Sequence, residues 1–385
     1  MTIDVDSLLR KAVENGRMHG VAAAATKDGK IIYQGAFGKR EVNSQSAPEM
    51  TLDTPVRLYS MTKALTICSV MKLVEQGKLA LDQEARTILP ELAVIQVLKG
   101  FDANDEPILA PLTKPITIRH LATHTSGLVY DTWNADFKKY LQKTGKPRGT
   151  HSKEVLRAAV LAREPGERWE YGIGIDFLGW IVQEVSGQTL EDFMQEHILK
   201  PLGMSQTSFY ISPANQSRRL QVAQRREDGS LIPTPIAEFI PPAGTTDMLP
   251  GGSGMFSSCA DYLKLVTALA NGGAPILSSE STKVLLSNQL GDLAVQTLPA
   301  ALPISNAAVP RPGEKWSVLG QVNVVDVPGA RRAGSNSWSG LANTYYWIDP
   351  ASRVAGVLCT QMFPFSDAQV LQTFDEFERA IYATL

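Results

Sequence analysis

"PVRLYSMTKALTICSVMKLVEQGK", residues 55–78, sets a serine three positions ahead of a lysine where an extended run gives way to a strongly apolar one. Serine is a favoured N-cap, so Ser60 reads first as the start of a helix over 60–77. A chemical reading uses the same helix. Residues i and i+3 share a face, which puts Lys63 within reach of the Ser60 hydroxyl. Free N–H groups and the dipole at a helix N-terminus favour developing negative charge, as an attacked carbonyl requires. A serine hydroxyl needs an adjacent base to attack. Lysine serves as that base once burial or nearby positive charge lowers its reference pKa of about 10.4, and Ala64, Leu65 and Ile67 supply apolar surroundings. The pattern recurs at Ser69-Val70-Met71-Lys72, but Ser69 falls on the opposite face and mid-helix. There a backbone carbonyl normally absorbs the hydroxyl.

The rest of the chain is ordinary in bulk. Its 385 residues can bury a substantial core, and 44% hydrophobic with 20% charged residues is typical of a soluble domain. A net charge of −2 offers no footprint for nucleic acid or an anionic membrane. No apolar run is long enough to span a bilayer. "MTIDVDSLLRKAVENGRMHG" lacks the features of a signal peptide and reads as an amphipathic first helix. Cys68, Cys259 and Cys359 are odd in number and set in apolar contexts, which points to buried free thiols and a reducing cytoplasm.

Strand patterns lie at both ends. "GVAAAATKDGKIIYQGAFG" (20–38) alternates around Asp28-Gly29, a hairpin signal. "KWSVLGQVNVVD", "GARRAGSNSWSGLANTYYWIDP" and "SRVAGVLCTQM" read as three more strands, and "DAQVLQTFDEFERAIYATL" as a closing helix. Between them, helices are expected at 117–123, 152–163, 174–187, 189–198 and 259–271, with loops at 100–112, 127–150 and 230–250 shaping a pocket. The expected fold class is α+β: an antiparallel sheet from the N- and C-terminal segments (about 1–60 and 255–385), flanked by helices, with a mainly helical part (about 61–254) inserted.

Other serine and metal chemistries find little support. No Gly-x-Ser-x-Gly elbow occurs. His120 and His124 lie four apart without a nearby carboxylate, so a structural role is expected, with His124 holding the following turn. What the chain does carry is an ordered set. Ser60-x-x-Lys63 is followed by "ITIRHLATHTSGL", by Tyr171 in "PGERWEYGIGIDFLGWIVQEVSG", by "LPGGSGMFSS", and by Trp338-Ser339-Gly340 in "NSWSGLANTYYWIDP". This set resembles the serine β-lactamase-like superfamily over nearly the whole chain. "ILPELAVIQVLKGFDANDEPIL" and the terminal "FERAIYATL" are similar to the branch of family VIII carboxylesterases and lovastatin side-chain acyltransferases.

The resemblance implies an antiparallel sheet with a helical domain and the site between them. It implies Ser60 as the acylated nucleophile, Lys63 as proton acceptor and Tyr171 as the proton relay to the leaving group. The backbone N–H groups of Ser60 and Leu341 would form the oxyanion hole, and Trp338, Ser339, Gly340, Tyr59 and Ile173 would line the cleft. No metal or organic cofactor is implied. Two departures matter. Ile173 stands where β-lactamases carry the Asn of Tyr-x-Asn, and Trp338 replaces the lysine that would pair with a β-lactam or peptide carboxylate. An apolar aromatic wall favours neutral acyl esters instead, unless Arg331 or Arg332 supplies the charge. The expected activity is a carboxylesterase acting on small-molecule esters. The alternatives are an acyltransferase using an alcohol acceptor, a β-lactamase or D-amino-acid peptidase, and a non-catalytic binding module.

Overall fold

Alternation of side chains in the first strand determines which helices cover which face of the sheet. In the computed structural model, which describes residues 4–236, 240 and 244–385, helix α1 (Val5–Glu14) precedes β1 (Gly20–Lys27) and β2 (Lys30–Gly38). Asp28 and Gly29 join the two strands with φ of 52° and 77°, the doubly left-handed turn that a tight hairpin prefers. Five later strands complete the sheet: β3 (Lys315–Trp316), β4 (Gln321–Val322), β5 (Asn336–Gly340), β6 (Thr344–Asp349) and β7 (Val354–Cys359). The order is β2-β1-β7-β6-β5-β4-β3, antiparallel throughout. Strand β1 pairs with β7 from Ala22↔Cys359 to Lys27↔Val354, so the two ends of the chain close one α+β sheet.

Odd positions of β1 (Val21, Ala23, Ala25) pack with Leu9 of α1 and with Val370, Phe374 and Phe377 of the last helix. Even positions (Ala22, Ala24) turn to the main core. That core is built around the helix Thr62–Glu75, called α2, whose residues are buried on all sides apart from its last turn. A helix that is apolar all round needs neighbours all round. Among them are α3 (Gly174–Ser186) and the segment 190–199, while α4 (Cys259–Ala270) packs on β1, β6 and β7 from the core side and α5 (Ala368–Tyr382) covers the opposite face of the sheet.

Local differences from the sequence reading have physical causes. The helix expected at 152–163 stops at Arg157, because Leu161 exchanges hydrogen bonds with the strand Gln96–Phe101: Leu98 N–H to Leu161 C=O and Leu161 N–H to Gln96 C=O, both 2.8 Å. That strand pairs with Pro107–Pro111, a hairpin in place of the loop expected at 100–112. The loop expected at 127–150 contains a helix, Ala135–Thr144, capped by the Asn134 side chain and closed by Gly145 at φ 64°. A further helix, Ser279–Leu286, is capped by Ser278. The reading at 189–198 resolves into an α-helix, Leu190–Met194, that widens into a π turn over Gln195–Leu199. Residues 237–239 and 241–243 of the loop expected at 230–250 lie outside the described residues. Among the described residues no helix is long and apolar enough to cross a membrane.

Candidate active site

Ser60 is presented by a strained turn. A short strand, Val56–Arg57, pairs with Phe256–Ser257, and the Leu58 N–H donates to the Met255 carbonyl at 2.9 Å. The next residue, Tyr59, has φ of 46°, a left-handed conformation that costs a non-glycine residue about 1–3 kcal/mol. Its ring is pinned edge-on to Phe363, centroids 6.0 Å apart, with the Arg57 guanidinium 5.2 Å from its centre. A single 3₁₀ turn, Tyr59–Met61, then feeds α2. The α-helix therefore begins one residue later than a Ser60 N-cap would place it. Ser60 stays partly exposed while Lys63, one turn further in, is 1% exposed. The competing Ser69 is buried and its hydroxyl donates to the Leu65 carbonyl at 3.0 Å.

Lys63 Nζ donates to Ser60 Oγ at 3.2 Å, to the Tyr130 hydroxyl at 3.1 Å and to the Gly252 carbonyl at 2.7 Å. Two of these partners lead to the same carboxylate. The Tyr130 hydroxyl donates to Asp176 Oδ2 at 3.2 Å, and the Gly252 N–H donates to Oδ1 at 2.9 Å. Asp176 is wholly buried; burial pushes its carboxyl up, opposed first by the Lys63 charge and then by the Gly252 N–H, Thr150 and Tyr130. Burial, with the Asp176 charge behind it, also holds the Tyr130 phenol well above its ordinary pKa, so it stays protonated. Gly252 admits no side chain, since a Cβ would come within 2.5 Å of Asp176 Oδ2 and 2.9 Å of the Tyr130 hydroxyl. Sequence reasoning missed both Tyr130 and Asp176. For Asp176 the signal was a lone carboxylate inside the apolar run "GIDFLGWIV"; Tyr130 left none.

Tyr171 stands on the other side of Lys63, its ring centre 4.9 Å from Nζ. It is 3% exposed and walled by aromatics, with Trp338, Trp133 and Tyr130 at centroid distances of 4.9, 5.4 and 5.5 Å. Trp338 Nε1 donates to the Tyr171 hydroxyl at 3.0 Å. His124 lies 4.5 Å from the Tyr171 ring, and its Nδ1 accepts the Gly172 N–H at 3.3 Å. Burial, then the charge of Lys63, holds its pKa well below the ordinary value, so it packs as a neutral ring. His120 instead completes a capping box with Thr117 at the start of the helix Ile118–Ala122.

Strand β5 brings Trp338, Ser339 and Gly340 to this cluster. Gly340 packs under the Ser60 turn rather than lining a cavity: a Cβ there would lie 2.3 Å from both the Leu58 carbonyl and Thr344 Oγ1. The close approach sets Leu341 beside Ser60 on a shared wall. From Ser60 a cavity of about 250 Å³ extends past Tyr59, Ile173 and Leu341 toward Phe137, Leu141 and Val155. On the other side Ser60 borders a small hollow of about 10 Å³ with Tyr171, Trp133 and Trp338; a separate cavity of about 170 Å³, reaching Val309 and Phe374, shares Trp338 and Ser339 with it. Arg331 serves neither: it is buried in a two-pronged pair with Glu378, both contacts 2.7 Å. Among the described residues no group of His, Cys, Asp and Glu is arranged to hold a metal ion.

Known proteins arrange themselves consistently around this chain. It is 30% identical to ML-236A carboxylate methylbutanoyltransferase of Penicillium citrinum, an alignment covering all of this chain and 94% of that one. It is 28% identical to the lovastatin esterase of Penicillium rubens over 92% of this chain and 91% of that one. A mutant of simvastatin synthase from Aspergillus terreus superposes with a TM-score of 0.87 at 29% identity, covering 99% of this chain and 94% of the other. A family model described as Beta-lactamase matches residues 5–376. The chain thus belongs to the beta-lactamase family, among its serine acyltransferases and esterases.

Proposed function

We propose that the chain cleaves neutral carboxylic esters through an acyl-enzyme on Ser60 and delivers the acyl group to an alcohol acceptor. Ester cleavage, the activity expected from sequence, is the first half of this reaction, and a carboxylesterase is the case in which water takes the alcohol's place. The observation that carries the reading is the position of Ser60, in contact with Lys63 and on the wall of both a cavity of about 250 Å³ and the small hollow beside Tyr171. The cavity serves the acyl chain, and the alcohol enters on the Tyr171 side, where the hollow shares Trp338 and Ser339 with the cavity of about 170 Å³. At about 30 Å³ per water-sized group, 250 Å³ admits roughly eight such groups, the bulk of a short or medium acyl chain. Among relatives aligned over nearly their full length, one is named a transferase and another an esterase, which supports ester chemistry in either direction.

In this scheme Ser60 Oγ attacks the ester carbonyl as its proton passes to unprotonated Lys63. The oxyanion takes the N–H groups of Ser60 and Leu341. Tyr171 protonates the departing alkoxide, and the Lys63 ammonium returns a proton to the phenolate. Tyr130 makes a poor base because its phenol is held protonated, so its part is to position Lys63. Neither position considered for pairing a β-lactam carboxylate supplies a cation, since Trp338 stands on the wall and Arg331 is committed to Glu378.

The test is a brief exposure to p-nitrophenyl butyrate with and without a primary alcohol, followed by intact mass, peptide mapping and product analysis. A butyryl adduct on Ser60, absent from Ser60→Ala, and a butyrate ester of the added alcohol are the expected results. Free butyrate alone over a wide range of alcohols would establish the hydrolase; an adduct on Ser69, Ser126 or Ser253 would overturn the assignment.

A further inference from the structure

We propose that Asp176 is a positioning residue that sets the proton affinity and placement of Lys63, acting through Tyr130 on one side and the Gly252 peptide on the other. The inference rests on the acyl-enzyme reading above. Its basis is a closed circuit. Lys63 Nζ donates to the Tyr130 hydroxyl, which donates to Asp176 Oδ2; Nζ also donates to the Gly252 carbonyl, whose own N–H donates to Oδ1. Both carboxylate oxygens are thus spoken for, and both paths end on the amine beside Ser60.

A carboxylate with no exposure, in an otherwise apolar helix, is costly unless it is paired and hydrogen-bonded. Asp176 has no cation in direct contact among the described residues; the charge that most favours its ionised form is Lys63, one hydroxyl away. Reciprocity follows: whatever Lys63 does for the carboxylate, the carboxylate does for the ammonium. The other titratable groups facing the amine are Tyr130 and Tyr171, both phenols within 5.1 Å of Nζ by ring centre, and the neutral His124 imidazole. None of these carries a fixed negative charge, so Asp176 is the counter-ion. Asp176 itself is faced by Tyr130, Thr150 and the Gly252 N–H, all of which favour its ionised form.

The geometry also explains what keeps Lys63 in place. Gly252 is clamped between the amine and the carboxylate by its two backbone groups, and Tyr130 fills the remaining corner. Rotation of Lys63 away from Ser60 would break two hydrogen bonds at once and leave a buried carboxylate uncompensated.

The experiment is the pH profile of kcat/KM for p-nitrophenyl butyrate with the full-length enzyme and its Asp176→Asn and Tyr130→Phe variants, each with a thermal melt. Asparagine preserves shape and removes the charge. Lys63 must be unprotonated to act, so loss of its counter-ion moves the acid limb of the profile to lower pH, by about one unit or more. Tyr130→Phe severs one path and moves the limb the same way. In the double variant the shifts fall short of additive, because both act on one amine. A uniform fall in rate with the limb unmoved in both single variants would mean that Asp176 only supports the fold, and the inference fails. Tyr130→Phe keeps the test decisive if Asp176→Asn melts. Absence of a Ser60 adduct in the unaltered enzyme would instead refute the acyl-enzyme reading, so the two failures are separable.

Discussion

Two tyrosines flank Lys63, and their hydrogen-bond bookkeeping separates them. Tyr130 accepts from Lys63 and gives its proton to Asp176. Tyr171 accepts from the Trp338 indole, and its own proton has no acceptor among the described residues, which leaves it for an arriving alkoxide. Tyr171→Phe is therefore expected to lower kcat by about 10²-fold or more, the usual scale for removing a positioned acid. Trp338→Phe, which keeps the aromatic wall but removes the N–H, should fall between Tyr171→Phe and the unaltered enzyme. Steady-state kinetics on one ester check the order, and an unaffected Tyr171→Phe would transfer the proton role elsewhere. At this scale the sequence offered Ser60 and Lys63 as a helical i, i+3 pair and Tyr171 and Trp338 through the family resemblance, and the structure brings these four side chains into one cluster. Tyr130 and Asp176 sit in no such pattern. Their partners lie 67 and 76 residues away along the chain, and the packing of α3, the segment after the helix Ile118–Ala122 and the loop before α4 against α2 brings them together.

Strand β5 and the turn before α2 behave as one element. The left-handed Tyr59 aims Ser60, and the strand presses on the same turn through Gly340, with no room for a methyl group. Gly340→Ala must push the strand from the Leu58 carbonyl and carry the neighbouring Leu341 N–H with it. If that amide binds the oxyanion, kcat falls by roughly 10²-fold, the loss seen when one such donor is removed, with KM little changed. A variant with normal kcat would place the oxyanion elsewhere. Helix readings succeeded on the long apolar runs of α2, α3 and α4, of which α4 alone carries a side-chain N-cap, Ser258. They failed where tertiary pairing overrode local preference. Residues 158–161 continue a helical pattern, yet the exposed edge of Gln96–Phe101 recruits Leu161, and ladder hydrogen bonds replace the helical ones. The helix Ala135–Thr144 had its cap and its closing glycine in plain view, but its apolar stripe is thin: Phe137, Tyr140 and Leu141 alone are buried.

At the scale of the whole molecule, the joining of N- and C-terminal strands into one sheet was legible because both ends carry alternation with turn residues, and an antiparallel sheet needs both. The compartments around Ser60 were legible only in part: the segment 127–150 and Trp338 were expected at the pocket, but Trp133 and Trp316, which complete the aromatic cluster with Tyr171 and Trp338, are announced by no local pattern. The same close packing buries imidazoles, and this has a consequence for stability. His19, between α1 and β1, has both ring nitrogens sealed from solvent, and burial lowers its pKa from 6.5 to about 4 against a smaller opposing contact with the Gln221 backbone. His124 is lowered well below 6.5 for the same reason, aided by Lys63. The unfolded chain protonates both rings near pH 6.5 while the folded chain resists, so the unfolded state binds more protons as pH falls. Their contribution is complete above pH 6.5 and is lost progressively toward pH 4, where the His19 share of the loss reaches roughly 2–3 kcal/mol. Thermal melts between pH 7.5 and 4.5 should show a steep acid decline. His19→Gln, which removes one of the two rings, should reduce the slope by the His19 share while leaving that of His124. A variant that loses stability with pH as steeply as the unaltered protein would assign the acid sensitivity to carboxylates such as Asp82 and Asp349, whose partners hold them ionised below their ordinary range.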